Sequence, residues 1–184
     1  MRNSKSLLAA LALAAATFGA PTAIAADISS PPQALSLVGT SAFFGSSFAI
    51  NNSGDTFMDQ FTFNVTGALP TNLDAIVASI SRTASTGLDI TGFGLFTSGG
   101  TLITSGLQDS TGARDIWTLS ANSLAAGSYY LRVSGTLVSN TSGSFGGSMM
   151  LNPVPEPETY GMMLAGLGVV GLLASRRRRW SNEA

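Results

Sequence analysis

From about Ser29 to Leu151 short apolar stretches alternate with polar ones, and several keep a period of two. That is the pattern of a strand with one face buried. It predicts strands over 35–50 (two, or one bent), 56–65, 74–82, 88–97, 101–107, 114–120, 128–138 and 144–151. Clusters that favour turns separate them: "NNSGD", "GALPTN", "STG", "TSGG", "DSTG", "LAAG" and "SNTSG". About eight short strands at this spacing predict an all-β fold, an antiparallel β-sandwich or jelly-roll-like domain. Nothing between them carries a helical period, and the irregular spacing argues against a solenoid.

The two ends break the pattern. "MRNSK", then "SLLAALALAAATFGA", then "PTAIAAD" is a basic, an apolar and a small-residue region in the order of a secretory signal peptide. Ala23-Ile24-Ala25 fits the cleavage pattern, so cutting would leave Ala26 or Asp27 first. Such a peptide implies the Sec translocon and a signal peptidase as partners. At the other end, "NPVPEPET" precedes the uncharged run Tyr160–Ala174 and then Arg176, Arg177, Arg178 and Arg179. The run has 15 residues; as a helix it spans roughly 22 Å, short of the ~30 Å hydrocarbon core. Thr159 and Ser175 lengthen it to a marginal single transmembrane helix over 159–175, and the arginines hold the C-terminus in the cytoplasm. The expected organisation is therefore a signal peptide (1–26), a sandwich (27–152), a tail signal (153–180) and a cytoplasmic end (181–184).

Charge sharpens this picture. Of nine basic residues only Arg82, Arg114 and Arg132 lie in the middle, against seven aspartates, a net charge of −4. With no basic cluster there, nucleic acid is not an expected partner. The chain has no His and no Cys. That excludes a thiol nucleophile, a Ser-His-Asp triad and imidazole or thiolate metal sites. No P-loop or dinucleotide fingerprint is present. The reading is a non-enzyme with no required cofactor.

One strand carries an anomaly. In "FMDQFTF", Phe57, Asp59, Phe61 and Phe63 share a face, so a carboxylate points with three phenylalanines into the core. Three explanations stay open. Asp59 accepts backbone N–H groups at the sandwich edge or pairs with an arginine, Arg82 first and Arg132 second. Alternatively, it binds Ca2+ together with Asp55 and the carbonyls of "NNSGD". The third is catalysis, which on a sugar would want a second carboxylate across a cleft. Trp117, Tyr129 and Tyr130 are candidates for a sugar-binding platform or for plain packing. Three N-x-S/T matches, at 51, 64 and 140, carry little weight in so Ser/Thr-rich a chain.

"VPEPETYGMMLAGLGVVGLLASRRRR" resembles the PEP-CTERM sorting signal of Gram-negative bacteria: Val154, Pro155, Glu156 and Pro157 as the motif, then the apolar run, then the arginines. The resemblance implies recognition by exosortase, an integral-membrane protease or transpeptidase, and removal of the tail on the way to the surface. Phe57, Asp59 and Phe61 in "FMDQF" resemble the FxDxF subset of that family, and "LAAGSYYLRVSGT" is similar to its late hairpin. The subset implies an exported surface or matrix protein of exopolysaccharide-producing bacteria, held only transiently in the inner membrane, and favours a structural Asp59. The alternative function is a carbohydrate- or calcium-binding module at the cell surface.

Overall fold

The computed structural model describes residues 25–67, 69–154 and 157–180. Of the expected signal peptide, 1–26, residues 1–24 lie outside them. Ten strands and one helix follow in chain order: β1 (Gln33–Ala34), β2 (Ser41–Phe48), β3 (Thr56–Val65), β4 (Thr71–Ile80), β5 (Leu88–Thr97), β6 (Leu102–Ser105), β7 (Leu107–Ser110), β8 (Arg114–Leu124), β9 (Gly127–Leu137), β10 (Gly143–Pro153) and α1 (Pro157–Trp180). They form two five-stranded sheets, ordered β1-β3-β9-β5-β6 and β2-β10-β4-β8-β7. All pairings are antiparallel except β1 on β3, so the first sheet is mixed rather than purely antiparallel.

The sheets pack as a sandwich because each strand buries alternate positions. On β3 the buried side chains are Phe57, Asp59, Phe61, Phe63 and Val65. On β4 they are Thr71, Leu73, Ala75, Val77 and Ser79. Phenylalanines fill the layer between the sheets. Phe48 meets Phe57 with ring centroids 4.6 Å apart, and Phe44 meets Phe61 at 4.9 Å. Two glycines make room for them. A Cβ on Gly135 would lie 2.5 Å from the Phe57 ring, and one on Gly147 2.5 Å from the Phe44 ring. Each ring thus lies over the glycine paired with it on the next strand, and the aromatic covers backbone that glycine leaves bare.

Two expected strands differ. The stretch 35–50 holds one strand, β2, preceded by a tight turn with a Val38–Ser41 bridge. The stretch 101–107 is broken at Gly106: β6 pairs with β5 in one sheet and β7 with β8 in the other. Gly106 N–H donates to Phe93 O at 2.8 Å, and a Cβ there would press on Thr118 O at 3.0 Å. The chain switches sheets at this glycine, which a period-two reading cannot detect because neither short half buries alternate positions.

Candidate functional site

Asp59 is 1% exposed, as the alternation required. Its partner is a backbone amide: Ser30 N–H donates to Oδ1 at 2.6 Å. The arginine pairings are not found, and the registers say why. Asp59 pairs with Val133, so the adjacent Arg132 points to the other face of the sheet. Arg132 instead stands 4.0 Å over the Phe96 ring. Arg82 shares parity with Ile76 and Ile80, but those side chains face outward, 43% and 76% exposed.

The Ser30 bond belongs to a longer device. Residues 26–35 run as a strap beside β3. Ala26 N–H donates to Asp55 Oδ1 at 2.8 Å, and Thr56 N–H to Ala26 O at 2.9 Å. Ile28 N–H donates to Thr56 O at 2.9 Å, Met58 N–H to Ser29 Oγ at 2.7 Å, and Leu35 N–H to Thr62 O at 2.8 Å. Asp55 and Asp59 therefore each hold a different amide of the strap. Among the described residues no group of three or more acidic, His or Cys side chains could hold a metal ion. Asp59 Oδ2 and Ser46 Oγ are buried with no hydrogen-bond partner among the described residues. The Phe44–Phe61 and Phe48–Phe57 contacts bracket them, which places both atoms on the same edge of the layer.

The opposite edge holds residues that the sequence did not single out. Asp115 is fully buried on β8, and its Oδ2 accepts Ile90 N–H at 3.0 Å. Trp117 Nε1–H donates to Ile90 O at 3.2 Å. Two β8 side chains thus satisfy a β5 residue beside a bulge, where the ladder shifts between Ile90 and Gly92. Asp89 lies against Asp115. A hydrogen bond that the protonated Asp89 carboxyl donates to Asp115, then burial and the neighbouring charge, push it up to about 6. Asp115 shares parity with Trp117 and Leu119 in "RDIWTLS", which would have marked it as inward.

The three aromatics do not form one platform. Trp117 packs against the core. Tyr129 stacks on Phe63 and donates its hydroxyl to Ala125 O at 2.9 Å. Tyr130 lies on the other face, nearly parallel to Phe96 with centroids 5.1 Å apart. A different apolar surface is open on the outside of the second sheet. Phe43, 84% exposed, Ile76 and Met150 border a groove of about 510 Å³ with Asp74, Ser120 and Ser148.

The C-terminal end is set off from this body. The last core side chain is Leu151, β10 ends at Pro153, and Val154 N–H donates to Pro70 O at 2.8 Å. Pro155 and Glu156 lie outside the described residues. Helix α1 starts at Pro157 and continues through the four arginines, and its apolar side chains from Tyr160 to Leu173 are exposed. It begins earlier and ends later than the expected span of 159–175. Among the described residues no helix is long and apolar enough to cross a membrane. The expected transmembrane helix is thus not shown: the uncharged run is short, and Gly161, Gly166, Gly168 and Gly171 dilute it.

Residues 153–179 match the PEP-CTERM protein-sorting motif. This sorting motif implies an exported protein of a Gram-negative bacterium, processed at the membrane with exosortase as the partner. None of the curated proteins matches the chain. Among solved structures, the chain is similar to the pre-peptidase C-terminal domain of a collagenase from Bacillus anthracis. The two are 19% identical over 65% of this chain and 94% of that one, with a TM-score of 0.38. At that level the likeness carries nothing about function.

Proposed function

We propose that the chain is a non-enzymatic structural protein of the cell surface or extracellular matrix, associated with exopolysaccharide or biofilm. A signal peptide takes it through the inner membrane, and exosortase detaches it from its tail. The observation that carries this is the join between body and tail. The sorting motif begins at the last residue of the last strand, beyond every core side chain. Cutting near Pro155–Thr159 therefore releases a complete sandwich and discards only the helix and the arginines. The low charge and the Ser, Thr and Gly surface suit a hydrated polysaccharide surrounding. Phe57, Asp59 and Phe61 act here as fold elements, in keeping with the FxDxF resemblance. Mass spectrometry of the mature protein from its host tests the reading. A C-terminus within 155–159 is expected; an intact Arg176–Arg179 in washed membranes would make the tail a permanent anchor instead.

A second reading, a surface module for carbohydrate or calcium, is favoured by two observations. The Phe43 groove joins an exposed ring and apolar neighbours to hydrogen-bonding Asp74 and Ser120, the mixture a sugar ring meets in a shallow site. The unpartnered Asp59 Oδ2 is where calcium would be sought. Saturable binding of oligosaccharides that Phe43→Ala abolishes, or a melting temperature raised by calcium and not in Asp59→Asn, would favour it over the structural reading.

A further inference from the structure

The sequence leaves two first residues open for the exported chain, Ala26 and Asp27, and the strap separates them. Ala26 N is 2.8 Å from Asp55 Oδ1, and Ala26 O accepts Thr56 N–H at 2.9 Å. A cut after Ala26 would remove both bonds from β3. A cut after Ala25 keeps both and changes one: the amide nitrogen of Ala26 becomes a free α-amine, a cation at neutral pH.

We propose that the signal peptide is removed between Ala25 and Ala26, and that the new α-ammonium group is captured by the Asp55 carboxylate as an ion pair clamping the mature N-terminus to β3. The cleavage is a hydrolysis: water adds across the Ala25–Ala26 peptide bond, leaving a carboxylate on Ala25 and the ammonium on Ala26. Asp55 is presented rigidly for this. Its N–H donates to Asn52 O at 3.1 Å and its carbonyl accepts Leu137 N–H at 2.9 Å, so the backbone is held from both sides. The other carboxylate nearby, Asp27, is turned to its own turn, where the hydroxyl and then the N–H of Ser29 hold it below the usual carboxylate range. Asp55 is thus the carboxylate in contact with the amine. A neutral amide bond in the precursor becomes a charge-assisted one in the product, so processing tightens the strap it exposes. The inference rests on the export reading.

The test separates the two. The full chain is expressed in a Gram-negative host, and the N-terminus of the exported protein is read by mass spectrometry. A start at Ala26 is expected. A start at Asp27, or an exported chain that still carries residues 1–25, overturns the proposal, whereas a chain retained in the cytoplasm overturns the export reading beneath it. On the Ala26 form, acylation of the α-amine at fixed neutral pH is then compared between variants. An adjacent opposite charge that raises the amine pKa by about half a unit slows the reaction roughly threefold. The wild-type protein should react about threefold more slowly than Asp55→Asn; Asp55→Glu should stay slow, and Asp27→Asn should leave the rate unchanged. A synthetic peptide of residues 26–32 gives a reference that needs no folded variant. Equal rates for the wild-type protein and the peptide, or for the wild type and Asp55→Asn, overturn the clamp even with the cut in place.

Discussion

The two long edges of the sandwich solve one problem with one residue type and reach different electrostatic outcomes. Where β3 meets the strap, Asp59 accepts Ser30 N–H. Where β5 meets β8, Asp115 accepts Ile90 N–H. At each place a backbone donor lacks a ladder partner, and a buried carboxylate supplies the acceptor. The strap edge keeps its carboxylates apart, since Asp55 and Asp59 hold amides at different points. The seam edge sets Asp89 directly on Asp115, and Asp89 is pushed up to about 6. At the seam, the second acid beside the acceptor, Asp89, brings pH sensitivity with it.

The largest effect is expected from Asp59→Ala. It removes a charge-assisted bond and leaves Ser30 N–H without its acceptor, at a cost of about 2–3 kcal/mol in denaturant unfolding. Hydrogen exchange at Ser30 and Met58 should speed up as the strap loosens. A loss below about 0.5 kcal/mol would mean that Asp59 is not what holds this edge. Trp117→Phe tests the other edge. Ring packing stays, the bond to Ile90 O goes, and about 1 kcal/mol should be lost; no loss would leave Asp115 as the seam's only tie.

Titration should tell the edges apart. The folded pKa of Asp89 lies above its ordinary 3.8, so its contribution is complete below that value and is lost as pH rises through about 6. Stability should therefore decline between about pH 4 and 6 from this group. Asp89→Asn should flatten that decline and raise the melting temperature at pH 7 by a degree or so, a small gain because the group is largely in water. A wild-type profile that rises steadily from pH 4 to 7 and keeps its shape in Asp89→Asn would contradict the assignment. The smallest effect belongs to the tail. Deleting residues 155–184 should leave the melting temperature unchanged within error, because no core side chain lies beyond Leu151.

The legible parts were those that depend on neighbours along the chain. Strands β3 and β5 span the stretches expected of them, 56–65 and 88–97. The inward Asp59 followed from counting positions in "FMDQFTF". The sorting motif was read from its Pro-Glu-Pro, apolar run and arginines, and residues 153–179 match it. The misreadings needed distance in sequence. Arg82 was given to Asp59 by a parity taken from Ile76 and Ile80, which face outward because Leu73 and Val77 take the core side of β4. The strap escaped notice because "DISSPPQAL" has no alternation, and its bonds go to residues about 29 positions away.

The sequence by itself determined an all-β body, an acid on its core face and a C-terminal address, since each is written in local periodicity or in a contiguous motif. Tertiary structure alone decided which amide each aspartate holds, where the chain changes sheets and which two acids meet. Those depend on the register of strands brought together from far along the chain, and a period-two pattern tells a residue's face without naming its neighbour on that face.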